Sequence, residues 1–121
     1  MNLEQFPSVR ETIRAFPVEV RKELGKAIYD LQRGETLSMP LSHPMMPMAP
    51  GVAELRIRDR AGIYRVFYYV KSARGIIVFH AFQKKDRATP LQEMAMGRKR
   101  LKEILDEEHE FRGGKECQGV G

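Results

Sequence analysis

Apolar and polar positions alternate most regularly between Gly51 and Lys85, in the stretch GVAELRIRDRAGIYRVFYYVKSARGIIVFHAFQKK. Three runs rich in β-branched and aromatic residues, Ala53–Asp59, Ile63–Lys71 and Ile76–Gln83, are divided by the glycine-containing breaks Arg60–Gly62 and Ser72–Gly75. Short strands joined by such turns predict a three-stranded antiparallel meander. Upstream the period changes from two to that of a helix. Val9, Ile13 and Phe16 mark a short helix over Ser8–Phe16, with Ser8 as N-cap and Glu11 as its capping-box partner. Pro17 breaks the chain. Val20, Leu24, Ala27, Ile28 and Leu31 then form one face of a helix over Pro17–Arg33, which Gly34 stops. The prolines at 40, 44, 47 and 50 make Glu35–Pro50 an extended loop, and its methionines Met45, Met46 and Met48 are suited to flexible packing or to an adaptable surface. A last helix starts at Thr89 as cap and Pro90 as first residue and runs to about Glu108, with Leu91, Met94, Leu101, Ile104 and Leu105 as its stripe. Gly97 in mid-helix marks a close packing approach. Phe111–Gly121 is polar and glycine-rich, the composition of a disordered tail.

The expected fold class is therefore α+β: an N-terminal helical hairpin packed on a small antiparallel meander, with a C-terminal helix. A chain of 121 residues suits one domain, placed at residues 1–110 with a tail over 111–121.

If Asp59–Gly62 and Ser72–Gly75 close four-residue turns, Arg56 stands opposite Arg65, Arg58 opposite Ile63, Arg65 opposite Phe82, Phe67 opposite His80, and Lys71 opposite Ile76. Alternation then sorts the sheet into two faces. Leu55, Ile57, Tyr64, Val66, Tyr68, Ile77, Phe79 and Ala81 form a core face for the helices. Glu54, Arg56, Arg58, Arg65, Phe67, Tyr69, His80, Phe82 and Lys84 form a basic face with interleaved aromatics.

Charge sharpens this picture. Residues 1–50 carry six basic and six acidic side chains, and Thr89–Glu108 four and five. The meander carries eight basic residues against Glu54 and Asp59. The net charge of +5 is thus concentrated on one sheet, which points to a polyanionic partner, nucleic acid first. Arg98-Lys99-Arg100 spreads around a helix and suits a solvated face. No apolar run approaches the roughly 20 residues of a membrane span, and the N-terminus lacks the pattern of a signal peptide. One cysteine, Cys117, excludes an internal disulfide and suits a reducing compartment. His43, His80 and His109 are scattered and make no metal-site spacing.

Opposed arginines repel by a few tenths to about 1 kcal/mol. Either an anion such as a phosphodiester sits between Arg56 and Arg65, or Glu54 neutralises them locally. Phe67, Tyr69 and Phe82 offer stacking surfaces for unpaired bases. His80 reads either as a hydrogen-bonded structural histidine or as a proton-transfer group. If the face is catalytic, the lack of clustered carboxylates or a nucleophilic triad leaves cleavage of RNA by its own 2′-hydroxyl, giving a 2′,3′-cyclic phosphate and a 5′-hydroxyl.

The segments ELRIRDRAGIYRVFYYV and VFHAFQKKDRATP resemble the HigB-like branch of the RelE/ParE toxin superfamily, the phage-derived toxin-like proteins, and the likeness runs from about Met45 to Leu105. The resemblance implies the toxin of a type II toxin–antitoxin module that cleaves mRNA on the ribosome without a metal or other cofactor. It implies a catalytic group of Arg56, Arg58, Arg65 and Lys84, with Lys85, Phe67, Tyr69, His80 and Phe82 contacting RNA. It also implies a cytoplasmic protein in a hetero-oligomer with a HigA-like helix-turn-helix antitoxin. RelE stacks a tyrosine near its C-terminal helix on the substrate base. This chain has no tyrosine after Tyr69, so stacking falls to Phe67 or Phe82, or is absent. ParE-like members share the fold but poison DNA gyrase, which is the alternative activity; an inactive relic that binds only antitoxin is a third.

Overall fold

A computed structural model describes residues 3–39, 41–45, 48–72, 74–84 and 91–120, the last stretch with side chains through residue 108. Strand β1 (Leu3–Gln5) leads into helices α1 (Pro7–Arg14) and α2 (Val18–Gln32). Strands β2 (Ser42–Pro44), β3 (Val52–Asp59), β4 (Gly62–Ser72) and β5 (Gly75–Lys84) follow, and then helix α3 (Leu91–Val120). The α+β class, the hairpin and the central meander are as expected.

The meander is the middle of a larger sheet. Five strands run in the order β1-β5-β4-β3-β2. The short β1 lies parallel to β5, with Leu3 opposite Ile76, and β2 lies antiparallel to β3. Three-residue strands are too short to show alternation. β2 contains Pro44 in the stretch read as loop, and proline is admitted there because β2 is an edge. Helix α1 also starts earlier than the capping pattern indicates. Phe6 is the extended residue before it and Pro7 takes the first helical position, so Ser8 lies inside the helix and caps nothing.

One sheet face packs on α1 and α2. Val9, Phe16, Val20, Leu24 and Ile28 meet Leu55, Ile57, Tyr64, Val66 and Tyr68, as alternation predicted for β3 and β4. On β5 the expectation fails. Phe67 pairs with His80, but Tyr68 pairs with Val78, so Phe79 is an extra residue on β5. A bulge of this kind turns two successive side chains to one side. Ile76 and Val78 therefore face the hairpin, while Ile77 and Phe79 face the other way. A second irregularity between Tyr69 and Ser72 restores the register expected from the turn, with Ser72 opposite Gly75.

The second face is also covered. Leu101 and Ile104 of α3 pack on Val52, Phe67, Tyr69, Ile77, Phe79 and Phe82, and Met45, Met48 and Met94 close the edge of this second core. The stripe differs from expectation at its ends: Leu91 is 87% exposed and Leu105 lies at the surface. The helix continues past Glu108 to Val120. Its descent is fixed at two points. Gly97 lies over the Phe67 ring, where a Cβ would stand 2.9 Å from two ring carbons. Farther along, Arg74 of the β4–β5 turn pairs with Glu4 (3.2 Å), Glu107 (3.2 Å) and Glu108 (3.6 Å), and Ser72 donates a hydrogen bond to Glu108. Thr89, Pro90 and Met46 lie outside the described residues. Among the described residues no helix is long and apolar enough to cross a membrane.

Gly97→Ala tests the contact under α3. Alanine gains about 1 kcal/mol in helix propensity, yet overpacking against a fully buried ring costs about 1–3 kcal/mol. The expected result is a net loss of up to about 2 kcal/mol, read as a lower urea midpoint with unchanged m-value. A stabilised variant would remove the argument.

Candidate nucleic-acid interface

The register of β3, β4 and β5 arranges the side chains beneath α3 in three cross-strand rows. They are Glu54–Phe67–His80, Arg56–Arg65–Phe82 and Arg58–Ile63–Lys84. Residues two apart on a strand share a face, so the rows form one surface. It grades from the core under Gly97 to the open end beside the β3–β4 turn. Phe67 is fully buried, while Arg58 is exposed.

The opposed arginines carry their own counterion. Glu54, 2% exposed, accepts from Arg56 Nε through Oε1 at 2.5 Å and from Arg65 Nη1 through Oε2 at 3.3 Å. A buried carboxylate is tolerated only where charge and hydrogen bonds compensate it. Here one anion bridges two cations, which answers the like-charge repulsion across the strands. The cluster keeps a net positive charge, and its outlet is Arg56, whose side chain is 32% exposed against 9% for Arg65. Arg58 projects beyond it.

The first row ends in a second polar group. His80 is buried between Phe67 and Phe82, with ring centroids at 5.6 and 5.5 Å. Arg100 Nη1 donates to His80 Nδ1 at 2.9 Å and to the Phe79 carbonyl at 3.3 Å, while Nη2 donates to Ser8 Oγ at 3.0 Å. A guanidinium can only donate. Nδ1 is therefore the acceptor, the imidazole proton sits on Nε2, and Nε2 donates to Glu93 Oε2 at 2.9 Å. Burial lowers the His80 pKa from its ordinary value; Glu93 opposes that shift and Arg100 adds to it.

The residues proposed from sequence thus separate. Arg56, Arg58, Arg65 and Lys84 share the sheet surface, with Lys84 largely buried at its end. Lys85 lies outside the described residues. Phe67, Tyr69 and Phe82 are 0%, 8% and 6% exposed. They form the core under α3, so the stacking platform expected of them is taken up by packing. His80 is the hydrogen-bonded histidine of the two readings. Arg100 leaves the solvated face assigned to it and turns inward. Glu93 was not singled out from sequence and Arg100 only within a solvated basic run, although both fall on the helical stripe of Gly97, Leu101 and Ile104. Charges inside such a stripe call for a partner beneath them. Among the described residues no three His, Cys, Asp or Glu side chains stand together as a metal site.

A family profile described as Phage derived protein Gp49-like (DUF891) matches residues 11–102. The chain belongs to the Gp49-like family. The matched span contains α2, the whole meander, and Glu93, Gly97 and Arg100, so the rows and the His80 group are features of this Gp49-like domain. Among solved structures, a chain of the RelB-RelE antitoxin-toxin complex from Methanococcus jannaschii is similar in fold, with a TM-score of 0.50 and 18% identity over 68% of this chain and 91% of that one. No curated protein matches the sequence.

Two measurements check this geometry. Glu54→Ala leaves two arginines without their anion and is expected to destabilise the fold by about 3–5 kcal/mol; Arg58→Ala is expected to stay within about 0.5 kcal/mol of the parent. A mild Glu54→Ala would mean the bridge is not needed. For His80 the folded pKa lies below the unfolded one, so the unfolded chain takes up its proton first as pH falls. Its contribution is complete above the unfolded value, about 6.5, and declines below it toward the folded value. Chemical denaturation across that window should fall less steeply for His80→Gln than for the parent.

Proposed function

We propose that this chain is the toxin of a type II toxin–antitoxin module, in the HigB-like manner, and cleaves mRNA on the ribosome without a metal. The observation that carries the reading is the pair of rows Arg56–Arg65–Phe82 and Arg58–Ile63–Lys84, a cationic surface at the open end of the sheet. Family membership and the fold likeness to a chain of an antitoxin–toxin complex support it.

In this mechanism Arg56 and Arg58 receive the scissile phosphate, Arg56 being aimed by Glu54 and backed by Arg65. Lys84 adds charge from the end of β5. The 2′-oxygen attacks phosphorus in line with the departing 5′-oxygen. The cations hold the charge that develops on the non-bridging oxygens, where preorganised donors act most strongly. The buried aromatics leave recognition to phosphate and ribose on this surface. The partner is a small helix-turn-helix antitoxin in a cytoplasmic hetero-oligomer.

The test is induction of the chain and of Arg58→Ala in a bacterial host, followed by mapping of mRNA 5′ ends. Cleavage within translated codons is expected for the parent. A 10²–10³-fold loss of cutting is expected for Arg58→Ala, the usual effect of removing one transition-state donor, with folding and antitoxin capture retained. Intact messages with an SOS response and altered plasmid supercoiling would replace this reading with gyrase poisoning.

A further inference from the structure

We propose that the cavity between the C-terminal end of α2 and strands β2–β4 binds a small neutral carbonyl compound with an apolar body. This site is independent of the RNA-cleavage reading. It lies on the hairpin side of the sheet, and none of Arg56, Arg58, Arg65 and Lys84 lines it.

The cavity measures about 450 Å³, within the size range of small-molecule pockets. Its walls come from elements far apart in the sequence. Leu31 of α2, Leu37 of the loop that follows, Val52 of β3 and Ile76 of β5 are all apolar. Gly34 turns the chain out of α2 at φ 89° and forms part of the wall, where a Cβ would meet nothing within 4 Å. The cavity opens where Glu35 and Val70 reach solvent.

One polar pair is set in this apolar wall. Ser42 Oγ and the Tyr68 hydroxyl are 2.6 Å apart, and the two residues are 3% and 4% exposed. Two hydroxyls carry two protons, and only one of them lies between the two oxygens. Among the described residues neither hydroxyl has a second partner, so the other proton is left to donate. Burial holds the Tyr68 pKa above its ordinary value, while the Ser42 hydrogen bond opposes that shift. The phenol therefore keeps its proton at neutral pH. Buried donors are ordinarily satisfied, and an acceptor brought in by a ligand would complete this pair.

The ligand class follows from these features. An apolar body fills the cavity and one carbonyl oxygen accepts the remaining proton. Charge has no counterpart: Glu35 is the charged residue among the described lining residues, and it is paired with Arg33 at 3.5 Å. Ketones, esters and amides meet this description.

The test titrates the ¹⁵N-labelled full chain with acetophenone and with ethylbenzene, which has the same carbon skeleton without the oxygen. Acetophenone is expected to shift the amides of Val52, Val70 and Ile76 saturably and to raise the melting temperature. Ser42→Ala/Tyr68→Phe removes both hydroxyls, and replacing both members of a bonded pair by apolar groups is nearly neutral for folding. This double variant should bind acetophenone about fivefold more weakly, the effect of one ordinary hydrogen bond, and ethylbenzene no more weakly than the parent. Ser42→Ala alone leaves the phenol proton to the ligand and should bind acetophenone as the parent does. Acetophenone that leaves the cavity amides unmoved would overturn the site. Equal acetophenone binding by parent and double variant would overturn the assigned ligand class. Cavity amides that move on dilution without any probe would overturn the proposal in favour of a second copy of the chain seated there.

Discussion

The seat of α3 on Phe67 is the constraint on which the other features depend. Only a residue without a side chain lets a helix backbone come this close to a fully buried aromatic ring, and Gly97 supplies it. Once Gly97 is above Phe67, the rest of the helix has little freedom. Leu101 and Ile104 fall on the aromatic core, and Glu93 and Arg100 fall on either side of His80. The same seat decides which part of the sheet is roofed. The row of Glu54, Phe67 and His80 is sealed, whereas Arg58 in the third row remains open to solvent. A covered core and an accessible cationic edge thus follow from one close contact.

Two acid–base clusters stand at the two ends of the sealed row, and they differ in kind. Glu54 is saturated by permanent cations and sets the direction of Arg56. Glu93 is held through a neutral imidazole, and its side chain is only partly buried. The two carboxylates thereby meet different partners, one a pair of permanent cations, the other an uncharged ring.

Much of this was legible from residues alone, and the limits have physical causes. The β3–β4 turn closes on Gly62 without irregularity, so the opposition of Arg56 and Arg65 could be counted directly from it. The β4–β5 pairing hides two irregularities, and a bulge at Phe79 leaves no mark in composition. The faces of Ile77 and Phe79 were therefore transposed. β1 and β2 are too short for alternation to register. The aromatic positions did carry a signal that points against an exposed platform. Ile76–Phe82 contains a single polar residue, His80, and strands with continuous apolar runs are buried on both sides. Arg56, Arg58, Arg65 and Lys84 share one surface as expected. Glu93 and Arg100, the α3 partners of His80, became visible only once the helix was laid over His80.

The parallel pairing of β1 with β5 bears on how the chain matures. Leu3 is synthesised well before Ile76, its partner across the sheet. Closing a loop of that length forgoes more chain entropy than any hairpin in the meander, and contacts so distant in sequence slow folding. Strand β1 is thus obliged to wait for β5. A nascent chain ending before β5 has no strand on which α3 and β1 can settle. Within the Gp49-like fold, a lag between translation and completion of the sheet is written into the strand order itself.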